Sequence, residues 1–271
     1  MSLNVHRCLG VLLSLLSVSG AAARARQTPV DWADAWVDGW TGSARGRNVY
    51  AHETSTMPQY TRWGDDPDAY GRYSNRSDCS FFGSVTLERA DGLSEAALDD
   101  WLCDDGCPSG RPLAVNYYDA IVAERHFRRI THVKSIERGD VLSVKYFDST
   151  DNTGHFAWVD AEPRALCETC SPSEWALTIV DSSSNYHGRS DTRSVGGACQ
   201  DADDCWDRGR DVVCERITKQ CAYTGIGRGV LRLFADESGK ILGYSWSTSA
   251  SSQIYMIADG ARLIAFGRYE P

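Results

Sequence analysis

Ser77-Asp78-Cys79-Ser80-Phe81-Phe82 ends a polar, turn-rich segment that begins near Asp65 and starts an apolar one that continues through Val85 and Leu87. A loop followed by apolar residues at helical spacing predicts a helix that begins at Cys79. At that position the helix dipole and the free backbone N–H groups favour a thiolate, so Cys79 is a candidate nucleophile. A buried structural cysteine, or one half of a disulfide, is the competing interpretation.

The patterns on either side predict helices in the first half of the chain and strands in the second. Ser94 is placed to cap a helix of its own. The predicted helices cover 28–40, 79–89, 94–102 and 113–127, with loop over 41–77. The predicted strands cover 141–147, 155–159, 176–180, a hairpin of 229–234 with 241–246, and 263–266. Helices followed by antiparallel strands indicate an α+β domain.

Residues 1–25 have the layout of a secretory signal peptide, with Arg7, an apolar run over 9–18 and a cleavage site at Ala23-Arg24-Ala25. We therefore expect a secreted, extracytoplasmic protein whose mature domain is 26–271, without a membrane anchor in the mature form. Cleavage removes two arginines and no acid, so the net charge moves from −9 to −11. That charge argues against nucleic acid as a partner. No cofactor is expected, and the oligomeric state is left open.

Cysteine parity also singles out Cys79. Nine cysteines remain once the signal peptide is removed, an odd number for an oxidising compartment. Eight of them fall into local sets: 103 with 107, 167 with 170, and four between 199 and 221. The remaining one is Cys79, and an odd cysteine in an exported chain indicates a reactive thiol or an intermolecular bridge.

The paired cysteines allow several arrangements. One possibility is a four-thiolate zinc site formed by Cys103, Cys107, Cys167 and Cys170. The exported location favours two local disulfides instead. A mixed pairing between the two sets is also open. Residues 196–224 form a cysteine-rich insertion too small to build a core, so cross-links would have to hold it, in any of three pairings.

A nucleophilic cysteine needs a base and a group that orients the base. His155 opens a predicted strand directly after Gly154, at a sheet rim, and Asp181 ends the next predicted strand. An aspartate that accepts from one imidazole nitrogen would leave the other nitrogen for Cys79. The polar stretch after Asp181 is a candidate wall of the substrate cleft, with His187 and Arg193 as substrate-binding candidates. Arg193 would pair with a substrate carboxylate, and His187 is also the reserve base. A solvated loop is the competing interpretation of that stretch.

Three motifs in order resemble the NlpC-type and CHAP branches of the papain-like cysteine peptidases. They are Asp78-Cys79-Ser80-Phe81-Phe82, Arg138-Gly139-Asp140-Val141-Leu142, and Gly154-His155-Phe156-Ala157-Trp158-Val159, and the resemblance covers roughly 65–185. It implies a papain-like fold, with helices packed on an antiparallel sheet. It also implies Cys79 as nucleophile, His155 as base, and a polar third residue, for which Asp181 fits better than Asn185.

The resemblance implies a substrate as well. These branches commonly cleave amide bonds in bacterial cell-wall peptides, so the expected partner is a peptide or peptidoglycan-like substrate. Tyr70 or Tyr73 fits the tyrosine often found upstream of the nucleophile, and Asp78 and Ser80 flank the nucleophile as further substrate-binding candidates. We therefore expect a secreted Cys-His-Asp hydrolase with no metal. The alternative is a non-catalytic binding or structural module that keeps the fold.

Overall fold

The computed structural model describes residues 26–42, 47–54, 56–67, 69–104, 106–107, 110–149, 152–188, 190–198, 212–215 and 220–270. The expected signal peptide, and Cys199 and Cys205 of the expected insertion, lie outside these residues. None of the described helices is both long enough and apolar enough to cross a membrane.

The helices of the described chain lie where the sequence predicts them, with one exception at a C-terminal end. They are α1 (Pro29–Gly42), α2 (Cys79–Asp91), α3 (Glu95–Leu102) and α4 (Ala114–Val122). Local caps set the boundaries, because Asp78 and Ser94 accept hydrogen bonds from the first turns of α2 and α3. The predicted extension of α4 to residue 127 is wrong. Glu124 and His126 have positive φ angles of 55° and 54°, which end the helix, and Phe127 begins a strand.

The described strands form one large antiparallel sheet and two small sheets. They are β1 (Asn48–Tyr50), β2 (Tyr60–Arg62), β3 (Ser74–Ser77), β4 (Phe127–Ile130), β5 (Val141–Tyr146), β6 (Gly154–Val159), β7 (Arg164–Cys167), β8 (Ser173–Ser183), β9 (Ser194–Ala198), β10 (Val212–Glu215), β11 (Gln220–Tyr223), β12 (Gly225–Ala235), β13 (Ile241–Ser245), β14 (Ile254–Met256) and β15 (Arg262–Tyr269). The large sheet has the order β14-β13-β12-β8-β6-β5-β15-β4, and β7 pairs with β8. The α+β class is therefore confirmed.

The prediction of loop over 41–77 is wrong, because β1, β3 and β2 form a small sheet in that order. Polar side chains hold this sheet, which is why apolar alternation does not reveal it. Asn48 is fully buried, donates to the backbone carbonyl of Ile226 at 2.7 Å and accepts from the Ile226 N–H at 2.8 Å. These bonds attach β1 to β12 and bring Tyr50 to the end of the large sheet.

Alternation along the central strands divides the core between the two faces of the sheet. Phe156 and Trp158 of β6 pack on the helix side, whereas Ala157 and Val159 pack on the other side. Trp158 pairs with Val180. Continuing that register sets Asp181 opposite Ala157, one diagonal step from His155 on the same face. Asp181 lies inside β8, two residues before its end, and not at a strand end as predicted.

The local disulfides are confirmed, since Cys103 is bonded to Cys107 and Cys167 to Cys170. Neither the zinc site nor the mixed pairing is formed. Cys79 is the free cysteine of the described chain. In the expected insertion, β10, β11 and β9 form a three-stranded sheet in which Cys214 lies opposite Cys221.

Candidate active site

Asp78 fixes the start of α2 and thereby the position of Cys79. Its Oδ1 accepts from the Phe81 N–H at 2.8 Å and from the Ser80 hydroxyl at 3.0 Å. Arg111 forms an ion pair with the same carboxylate, and His52 lies 3.2 Å from Oδ2. Burial raises the pKa of Asp78, but His52 and Arg111 outweigh it and hold that pKa well below its ordinary value. Asp78 and Ser80 are buried and bonded to each other, so they build the helix start and do not line a substrate cleft.

His155 lies between Cys79 and Asp181. Its Nε2 donates to Asp181 Oδ2 at 2.6 Å, which leaves Nδ1 for the hydrogen bond with Cys79. Burial alone would lower the pKa of His155. The negative charge of Cys79 and the hydrogen bonds to Asp181 and Cys79 outweigh burial and raise this pKa to about 9. The three predicted catalytic residues therefore form one chain of contacts.

Asp181 is fully buried and has two further basic partners. His187 Nε2 lies 2.8 Å from Oδ2, the oxygen that His155 also uses, and Arg193 Nη2 lies 3.0 Å from Oδ1. Desolvation raises the pKa of Asp181, whereas Arg193, His187 and the hydrogen bond from His155 hold it well below its ordinary value. Asp181 is therefore a carboxylate in the folded protein, although it has no exposure to water.

Arg193 does not line a cleft wall, so the prediction that it meets substrate is wrong. Its side chain is fully buried, and its Nε and Nη2 donate to Asp191 at 2.9 and 2.6 Å. Asp191 Oδ2 also accepts the backbone N–H of His187 at 2.7 Å. The polar stretch after β8 thus folds back as a charged support beneath Asp181, and is not a solvated loop at these positions.

Both ring nitrogens of His187 are engaged by other groups. Its Nε2 lies 2.8 Å from Asp181 Oδ2, and its Nδ1 lies 3.0 Å from the backbone carbonyl oxygen of Trp246. His187 therefore cannot also serve as the reserve base, because it has no free nitrogen.

Two glycines of β12 make room for this charged support. A Cβ at Gly227 would lie 2.6 Å from the Arg193 side chain, and one at Gly229 would lie 2.6 Å from Asp191 Oδ2 and 2.7 Å from His187 Cβ. Real Cβ atoms do not approach so closely, so any larger residue would displace these groups.

We expect Gly229→Ala to lower the free energy of unfolding by about 1–3 kcal/mol, the usual cost of overpacking. It should also reduce turnover by about 100-fold, since an ångström of misplacement costs that much at a reacting centre. Gly42→Ala is the matched control, because a Cβ there meets no atom within 4 Å. Equal stability and activity in the two variants would contradict the packing described here. Thermal unfolding and an activity assay check both quantities.

Trp246 covers both histidines, and sequence reasoning treated it only as the end of a strand. Its ring lies 5.4 Å from that of His187 in a near-parallel stack and 4.9 Å from that of His155 edge-to-face. No local signal marks this role, because Trp246 follows β13 and both histidines are far from it along the chain. The indole restricts the access of water to the histidines.

A cleft of about 330 Å3 opens beside His155, lined among others by Tyr50, Tyr146, Trp246 and Tyr255. Burial, followed by the negative charge of Cys79, raises the pKa of Tyr50, so its hydroxyl stays protonated beside the thiol. Tyr50 was not among the residues predicted for the site. Tyr73 does not line this cleft but packs against Trp36 at 6.3 Å, and Tyr70 is 90% exposed.

The cluster of His155, Asp181 and His187 offers three ligand atoms within 4.8 Å of one another. The N···O separations of 2.6 and 2.8 Å are hydrogen-bond distances, shorter than the spacing of about 3.4 Å between ligands of a tetrahedral ion at 2.1 Å. A cation there would also adjoin the buried guanidinium of Arg193. The geometry therefore favours a hydrogen-bonded cluster over a metal centre.

The chain is similar to R653, an uncharacterized protein of Acanthamoeba polyphaga mimivirus. The two are 27% identical over 220 residues, which cover 77% of this chain and 82% of the relative. No protein-family model matches the chain, and no solved structure matches it.

Proposed function

We propose that this protein is an exported thiol hydrolase that cleaves an amide bond through Cys79, His155 and Asp181. The observation that carries the proposal is His155, held between Cys79 and a buried carboxylate with its pKa raised to about 9. A papain-like arrangement is part of the proposal, since a helix that begins with the cysteine packs on an antiparallel sheet that carries the histidine. The two disulfides support an exported location.

The position of Cys79 supports its role as the nucleophile. Cys79 is the first residue of α2, where the free backbone N–H groups and the positive end of the helix dipole favour a thiolate over a thiol. His155 lies beside it and is held on its other side by the buried carboxylate of Asp181.

The mechanism follows from these positions. The Cys79 sulfur attacks the carbonyl carbon, so a C–S bond forms and the carbonyl π electrons move to oxygen. The backbone N–H of Cys79 and the hydroxyl of Tyr50, whose pKa is raised by burial, are the donors proposed to bind that oxygen. The His155 imidazolium gives its proton to the leaving amine as the C–N bond breaks. Water then attacks the thioester, His155 takes its proton, and the acid product leaves with Cys79 restored.

Asp181 orients His155 and keeps its charge throughout. Because Arg193 and His187 neutralise Asp181 from the other side, the carboxylate does not take the proton of His155. Arg193, which is fully buried, therefore acts through Asp181 as a positioning residue, and His187 supports the same carboxylate.

A peptide or peptidoglycan-like amide is the proposed natural substrate, but p-nitrophenyl acetate tests the chemistry without it. We expect a burst of about one p-nitrophenolate per protein molecule and an acetyl group on the peptide that contains Cys79. Intact-mass and peptide mass spectrometry locate the group. Acetylation of surface lysines alone, without a burst, would overturn the proposal.

The pH dependence of the reaction should follow His155. Its folded pKa of about 9 lies above the ordinary value of 6.5, so the imidazolium is present at neutral pH and is lost as the pH rises through about 9. We expect the acylation rate to be level from about pH 7 to 8.5 and to fall about tenfold per pH unit above 9. A fall that begins near pH 6.5 would contradict this assignment. The profile is measured with a peptide p-nitroanilide, because its leaving amine needs the proton of His155, whereas p-nitrophenolate leaves without one.

The second candidate is an exported binding module in which the thiol is inert. The burial of Cys79, which is 4% exposed, is the observation that favours it. In that case p-nitrophenyl acetate gives no burst and Cys79 stays unmodified in the folded protein, so the same experiment separates the two candidates.

A further inference from the structure

The cleft beside His155 differs in charge from the rest of the molecule. The chain carries 37 acidic and 28 basic residues, yet none of the described residues that line the cleft is acidic. Its basic residues are Arg262, His155 and His187, and the two histidines share the Asp181 carboxylate behind them. An anionic ligand would therefore meet no acidic side chain on the cleft wall, and Arg262 is the guanidinium that lies there to bind it.

Arg262 is held rigidly at this cleft. Its guanidinium lies 4.2 Å from the ring centre of Tyr146 and 4.3 Å from that of Tyr255. Its Nε donates to Asp148 Oδ2 at 2.9 Å, and its side chain is 20% exposed. This hydrogen bond uses Nε, and the Tyr244 hydroxyl also shares a hydrogen bond with the guanidinium. A guanidinium has five N–H donors, so Nη donors remain for a further acceptor.

Arg89 provides an internal comparison for this geometry. It lies 4.2 Å from the ring centre of Trp32 and 4.5 Å from that of Trp63, and its side chain is 23% exposed. Its Nη1 and Nη2 donate to Asp66 and Asp65, so both Nη groups of Arg89 are already hydrogen-bonded to carboxylates of the protein itself. Arg262 has the same aromatic support, but its only carboxylate partner among the described residues is bonded to Nε.

We propose, on the basis of the hydrolase function above, that the cleft selects substrates with a carboxylate close to the scissile amide and that Arg262 binds this carboxylate. The two Nη groups donate parallel hydrogen bonds to its oxygens, and the stacked tyrosines fix the plane of the guanidinium. The carboxylate belongs either to an acidic side chain or to a free C-terminus of the peptide.

The test measures how short peptides protect Cys79 from alkylation by iodoacetamide. N-acetyl-Ala-Glu-amide and N-acetyl-Ala-Gln-amide have nearly the same shape and differ in one charge. In the wild-type protein we expect the Glu peptide to halve the alkylation rate at about a tenfold lower concentration than the Gln peptide, as a charged hydrogen-bonded pair permits. N-acetyl-Ala-Ala with a free carboxylate, compared with its amide, tests the C-terminal source.

Arg262→Gln should abolish the preference for the Glu peptide. Arg262→Lys should keep only part of it, because an ammonium group lacks the two parallel N–H donors of a guanidinium. Arg89→Gln is the matched control and should keep the full preference. High salt should shrink the preference in the wild-type protein, which supplies a readout if Arg262→Gln does not fold.

The outcomes separate the two proposals. If Cys79 resists iodoacetamide in the wild-type protein, the hydrolase function is overturned and the substrate assignment with it. If Cys79 is alkylated but acidic and neutral peptides protect equally, only the selection of a carboxylate is overturned. If the preference is present but survives Arg262→Gln, the assignment to Arg262 is wrong.

Discussion

Cys79→Ala and Cys79→Ser are each expected to lower turnover by at least about 10000-fold, because the proposed mechanism has no other group to form the covalent intermediate. The fold should persist, since the substitution removes one sulfur from a small buried site. We expect the melting temperature to change by no more than about 4 °C. Turnover and thermal unfolding measured on the same preparations check both parts.

Ser84→Ala is the matched control, and we expect it to lower stability while leaving activity nearly unchanged. Ser84 lies in the same helix, is buried, and shares a hydrogen bond of 2.9 Å with the Tyr117 hydroxyl. Its removal leaves that hydroxyl unpaired and costs about 1–3 kcal/mol of stability, with activity changed by less than about threefold. Full activity in Cys79→Ala would end the catalytic proposal, whatever the control gives.

Asp181→Ala is expected to have the largest effect on stability. The substitution leaves His187, Arg193 and His155 without the carboxylate that they share, and breaking a buried ion pair from one side costs about 3–5 kcal/mol. The melting temperature should fall by about 10 °C or more. Turnover should be lost as well, because His155 no longer has a group that orients it. Calorimetry and the activity assay measure the two losses.

Asp181→Asn separates charge from shape in this cluster. The folded pKa of Asp181 is lowered, so its stabilising contribution is present above about pH 4 and is lost as the pH falls toward the folded value. The stability deficit of the Asn variant should therefore be full at pH 7 and shrink as the pH falls below about 4. Glu270→Gln, which breaks an exposed pair with Arg128, is the control and should change stability by less than about 1 kcal/mol. If Asp181→Asn also lowers the stability by less than about 1 kcal/mol at pH 7, the buried charge of Asp181 does not stabilise the fold as described here.

Local signals predicted the start of α2, because the cap residue and the apolar run are adjacent in sequence. Cysteine parity predicted the free thiol at Cys79 without any structure, and the spacing of the other pairs predicted two local disulfides. The order of helices before strands predicted the α+β class. These features depend on residues that are close together in the chain, so local sequence patterns are enough to predict them.

The features that sequence reasoning missed depend on strand register and on distant partners. Asp181 reaches His155 only because β6 and β8 pair in one register, which no local pattern specifies. Tyr50 lies beside Cys79 because Asn48 bonds to β12, 178 residues away along the chain. Arg193 looked like a surface group because arginines usually are. Its burial follows from the space that Gly227 leaves, and that space depends on the pairing of β8 with β12.

The central claim is that Cys79 is a thiolate paired with His155, and the pH dependence of its alkylation by iodoacetamide tests this most directly. The unreduced wild-type protein and the His155→Gln variant are alkylated in parallel, and peptide mapping locates the modified cysteine. We predict rapid modification of Cys79 at about pH 6, where an ordinary thiol with a pKa near 8.5 is almost wholly protonated. The His155→Gln protein should react slowly at that pH and approach the wild-type rate only under alkaline conditions. An unreactive or disulfide-bonded Cys79, or equal profiles in the two proteins, would contradict a thiolate paired with His155.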